Sequence, residues 1–111
     1  MPENYINYYS DLFSKVQTYQ PELMNPFWTK LMDEARHIHF CHPDMWKREG
    51  KFKDYAASNF ATLIATNRAL TKHLLALHDR VLSMLIYRAV ELIEAGDNYK
   101  DMAQTEYINS R

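Results

Sequence analysis

The sequence predicts an all-α protein, and three observations carry that prediction. Gly 2 and Pro 4 among 111 residues are too few for a fold built on many tight turns. At 47% hydrophobic and 24% charged, the chain has the composition of a folded protein and not of a disordered one. Apolar residues recur at spacings of three and four, the period of a helix. The expected architecture is one domain over residues 1–111. A long central helix carries shorter flanking helices, in a helical bundle completed by oligomerisation.

The first 42 residues read as two N-terminal helices. Tyr5, Tyr9, Leu12, Phe13, Val16 and Tyr19 line one side of the first, which Pro21 ends. A tyrosine stripe suits an interface as well as a core, because the ring is apolar and the hydroxyl wet. The second opens at "NPFW", with Asn25 as N-cap and Pro26 in the first helical position. Phe27, Trp28, Leu31, Met32, Ala35 and Ile38 make its broad apolar side. Pro43 disfavours helical geometry at His42, so this helix should stop near Cys41.

Residues 43–53 read as a basic loop and hinge, either fully irregular or with one helical turn after Asp44. Lys47, Arg48, Lys51 and Lys53 stand there beside Trp46 and Phe52, diluted by Asp44, Glu49 and Asp54. Cations between aromatics can hold phosphates or an anionic surface, and a solvated loop is the simpler reading.

Residues 54–95 read as one helix, from Asp54 as N-cap to Gly96 as C-terminal cap. At about 1.5 Å per residue it would reach on the order of 60 Å. A compact domain of this length is roughly 26 Å across, so such a rod must protrude and pair with another chain, or break. No proline or glycine marks a break, so the rod is expected over a hairpin broken between Thr71 and His78. Phe60, Leu63, Asn67, Leu70, Leu74, Leu77, Val81 and Met84 form a heptad-like seam. Asn67 in it either fixes register or sits solvated at the edge. Leu75, Leu82, Leu85, Ile86, Val90 and Ile93 widen the apolar arc, as in a buried or assembled helix. A short helix over 97–109 follows.

Chemistry-bearing patterns are sparse. Glu34 and His37 form Glu-x-x-His, which places both side chains on one helical face, as in di-iron or di-manganese bundles. Those sites need a second such pair and further carboxylates. The chain has no second pair, though a homodimer could supply one, and a surface Glu and His is the simpler reading. His37, His39, Cys41 and His42 crowd "HIHFCH", but no standard zinc spacing matches, and histidines at a helix end favour the last carbonyls. His73 and His78, five apart, point in different directions. Phosphate loops, nucleophile elbows and Cys-x-x-Cys are absent from the sequence. Cys41 is the sole cysteine, so no internal disulfide forms.

The stretches "NFATLIATNRALTKHLLALHDRVLSML" and "YRAVELIEAGDNYKDMAQTEYINS" resemble phasins, the proteins that coat polyhydroxyalkanoate granules. The resemblance runs from about Tyr55 to Ser110 and lies in Asn, Leu and Ala at helical spacing. A break then leads to a helix bearing "QTEY", Gln104 to Tyr107. It implies a non-enzymatic, cofactor-free protein that adsorbs to polyester through apolar helix faces. The expected binding or oligomer face is Phe60, Leu63, Leu70, Leu74, Leu77, Val81, Met84 and Leu85. The alternative is a helical adaptor or regulator that binds a protein partner through the same face.

The formal net charge of -1 disfavours nucleic acid as the main partner. The opening "MPENYINYYSDLF" lacks the pattern of a secretory signal, and no apolar run is long enough to span a membrane. A cytoplasmic, self-associating protein is expected.

Overall fold

The computed structural model describes residues 26–49 and 51–103, and the fold is all-α. Among the described residues there is no strand. In chain order the elements are α1 (Pro26–Cys41), one π-helical turn (Met45–Glu49), α2 (Lys51–Ile64), α3 (Ala69–Leu75), α4 (Arg80–Ala95) and α5 (Tyr99–Ala103). The tyrosine-striped helix expected over residues 5–19, the Asn25 cap and the "QTEY" stretch lie outside the described residues.

The central rod is replaced by three helices. The described residues span 37 × 34 × 23 Å, which leaves no room among them for a helix of about 60 Å. The first break falls at Ala65–Arg68. The Thr66 hydroxyl donates to Leu63 O at 2.9 Å, and the Thr66 N–H points to the same carbonyl at 3.3 Å. That carbonyl is thereby diverted from the i+4 ladder, and side-chain competition of this kind is a recognised helix breaker. The second break falls at Ala76–Asp79. His78 takes the left-handed conformation, φ 55°, and Asp79 is extended. The Asp79 carboxylate then accepts from the Leu82 N–H at 2.8 Å and starts α4. Such an N-cap contributes about 1 kcal/mol. No glycine is needed at either break, because burial compensates for the local cost. Folding back brings Leu70 and Leu74 of α3 into one core with Val81 and Leu85 of α4, all fully buried.

Helix α2 lies at the centre, packed by α4 and α5, with α1, the π-helical turn and α3 around it. Ala56, Ala57, Ser58 and Ala61 are fully buried, and their small side chains let neighbouring helices approach closely. The buried polar residues of α2 are satisfied within it. Ser58 Oγ donates to Tyr55 O at 2.6 Å, and Asn59 Nδ2 donates to the same carbonyl at 3.0 Å. Phe52, Phe60 and Ile64 complete its buried face. Each large apolar side chain so buried contributes roughly 1.5–3 kcal/mol.

Two boundaries shift. Helix α2 begins at Lys51, so Asp54 lies in its first turn and is not its cap. Asp54 instead accepts a two-pronged bond from Arg88 of α4, at 2.7 Å from Nε and 3.1 Å from Nη2. The basic loop is largely helical, because Trp46 at its centre is buried and draws the backbone into the π-helical turn. Gly96 caps α4 with φ 133°, a conformation that L side chains rarely adopt.

Candidate functional site

The face expected to bind a granule, partner or second copy forms the interior of the chain. Phe60, Leu70, Leu74, Val81 and Leu85 are fully buried, and Leu63, Leu77 and Met84 pack partly buried against them. The heptad periodicity is that of a core wrapped by its own breaks, with Asn67 in the first of them.

The metal candidates do not converge. Among the described residues no group of three His, Cys, Asp or Glu side chains is placed to hold an ion. Glu34 is half-buried, while His37 is exposed and meets the His42 ring edge-on at 5.4 Å. His39 turns the other way, onto Trp46, and Cys41 is exposed. Burial and the neighbouring Glu34 raise the Asp33 carboxyl above its usual range, partly offset by His37.

A pocket of about 470 Å³ lies between the end of α2 and α5, lined by Asn59, Thr62, Thr66, Tyr99 and Lys100 among others. Its threonine hydroxyls already serve nearby backbone carbonyls. Thr62 Oγ1 donates to Asn59 O at 2.7 Å, and Thr66 donates to Leu63 O. Lys100 lies 3.8 Å from Asp97. The pocket therefore offers little polar chemistry to a ligand.

The richer site is the corner where α1 ends, the π-helical turn begins and α4 starts. Phe40 is 43% exposed and is held by two neighbours. The Arg36 guanidinium stands 5.1 Å from its ring centroid, and the His39 ring meets it edge-on at 4.6 Å. The i, i+4 spacing of Arg36 and Phe40 puts them on one face of α1. Arg36 also reaches Asp79, the cap of α4, at 3.8 Å. His39 rests edge-to-face on the buried Trp46 at 5.2 Å. Burial first, then Arg80, Arg36, Lys47 and Lys53, hold the His39 imidazole below its ordinary pKa. Cations from α1, the π-helical turn, α2 and α4 thus all act against the protonated form of one histidine. Along α4, two turns on from Arg80, Tyr87 is 63% exposed.

Sequence reasoning missed Arg36, Asp79 and Arg80 here. The Asp before an apolar run was a readable cap signal at Asp79, hidden inside a longer periodic pattern. The corner sets an arginine beside one exposed aromatic ring, residue types enriched in protein interfaces. Fold and site together define a small all-α domain with an aromatic and cationic corner. No family model matches the chain, and neither does any curated protein or solved structure. No helix of the described residues is long and apolar enough to cross a membrane.

Proposed function

We propose that this chain is a non-enzymatic helical adaptor that binds a protein partner through the Arg36–Phe40 corner. The observation that carries it is Phe40, an aromatic ring left at the surface yet clamped between Arg36 and His39. Preorganised aromatic and arginine side chains supply most of the energy of typical protein interfaces, because little freedom is lost on binding. A granule-coating role has less support from the geometry. Its adhesive residues are in the core, so adsorption would fall to Phe27, Phe40 and Tyr87.

One paired experiment tests this. Tagged wild-type protein and the Phe40→Ser variant are used as baits, with far-ultraviolet circular dichroism to verify that both are folded. The expected outcome is a stoichiometric protein partner retained by wild type and lost with Phe40→Ser. In parallel, both proteins are spun with polyhydroxybutyrate particles against an albumin control. Saturable particle binding above albumin, with no Phe40-dependent partner, would overturn the adaptor role and restore the granule-coating one.

A further inference from the structure

We propose that the corner bounded by Arg36, His39, Trp46 and Arg80 is an oxyanion subsite, which receives a carboxylate from an acidic segment of the partner. This rests on the protein-binding role above and names the chemistry of what is bound.

Charge placement is the first support. Arg36 of α1, Lys47 of the π-helical turn, Lys53 of α2 and Arg80 of α4 all act on His39. Two carboxylates on these elements are already engaged, and Asp33 and Glu34 of α1 and Asp44 before the π-helical turn are not among the charges that act on His39. Asp79 accepts from the Leu82 N–H and faces Arg36, and Asp54 is held by Arg88. His37 of α1 and His42, just past its end, face one another. The corner therefore keeps a positive surplus, and like charges held together favour an incoming anion.

The second support is independent of charge. Trp46 is 1% exposed, and among the described residues its Nε1–H has no hydrogen-bond acceptor. His39 Nδ1, on the ring that touches it, has no partner either. Buried polar atoms are nearly always satisfied, so two orphans on adjoining rings call for an explanation. An oxyanion supplies it. One oxygen accepts from the Trp46 Nε1–H. The other accepts from His39 Nδ1 once that ring has taken up a proton, which the anion's charge favours. A modest opening of the His39 ring admits the group, with Phe40 as the apolar wall beside it.

The test follows the Trp46 indole N–H and the His39 ring by NMR in the full chain. The probes are a short glutamate-rich peptide, its glutamine counterpart, inorganic phosphate, and sodium chloride at matched ionic strength. The glutamate peptide should shift the Trp46 indole resonance saturably and raise the His39 pKa. The glutamine peptide and chloride should do neither. Binding should tighten as pH falls through the His39 titration, and His39→Gln should abolish that dependence while His37→Gln does not. Arg80→Gln with Lys47→Gln, both exposed positions, should weaken the glutamate peptide about tenfold. Trp46→Phe should also weaken it, read through His39. Equal response to chloride would overturn the subsite. Saturation by phosphate without the peptide would overturn the assignment to a partner's carboxylate. If Phe40→Ser loses the partner while no probe moves Trp46, the corner remains an interface and the oxyanion subsite falls.

Discussion

The centre of the molecule and its α1 corner solve opposite problems with similar residues. Around α2, every buried polar side chain donates to its own helix, and small residues let α4 and α5 approach. At the corner, aromatic rings meet edge-on, burial and cations lower the His39 pKa, and His39 Nδ1 and Trp46 Nε1 have no hydrogen-bond partner among the described residues. The first arrangement maximises stability. The second holds back satisfaction that a bound group can supply, which is the usual physical mark of a place where something docks.

The contrast is most strongly tested in the core. Phe60→Ala should cost about 3–5 kcal/mol, because the site is fully buried among helices that cannot collapse onto the cavity. Chemical denaturation measures it, and a loss under about 1 kcal/mol would mean that the α2 environment is loosely packed.

At the seam between the two regions, Asp79→Ala should cost about 1–2 kcal/mol, since it removes the α4 cap and the acid facing Arg36. Asp79→Ser should recover much of this by restoring the cap alone. Equal losses for both variants would shift the weight to the Arg36 contact.

The corner should show itself in pH. His39 has a lower pKa folded than unfolded, so the unfolded chain takes up its proton first as pH falls. Its contribution is complete above the unfolded value of about 6.5 and is lost as pH drops through the folded pKa. Urea midpoints between pH 7.5 and 5 should therefore decline in the wild type and flatten in His39→Gln. An unchanged slope in the variant would assign the decline to other groups.

The smallest effect is expected at Trp46. Trp46→Phe removes a donor that lacks an acceptor while keeping most of the buried ring. The change should stay within about 1 kcal/mol, well below the cost at Phe60. A loss of several kcal/mol would show that the indole N–H is satisfied in solution, and would erase the contrast between the two regions.

Much of the secondary structure was legible. Pro26 and the "CHP" stretch mark the ends of α1, and Gly96 ends α4, because proline and glycine act locally. The break after α2 was not, and the one after α3 was legible only as an alternative to the rod, a hairpin between Thr71 and His78, since Thr66 and His78 break the helix only when burial favours the return. Nor was the crowding of α2, where alanine and serine read as neutral in a hydrophobic pattern yet are the most enclosed positions. The corner was visible only in pieces. "HIHFCH" and "KREGKFK" each stood out, but no periodicity places Arg80 beside His39. That proximity is a product of the same two breaks.

The reversal at His78 also sets how the chain must find its fold. A continuous rod would consist of local contacts, which form fast. Here Asp54 meets Arg88 across 34 positions of sequence, and the pairing of α2 with α4 closes a loop that includes both breaks. Loop closure costs grow only slowly with length, but they must be met before the distant contacts offset them. The turn around His78 therefore belongs to the search for the native state as much as to the state itself. Stiffening it should change how quickly the helices meet.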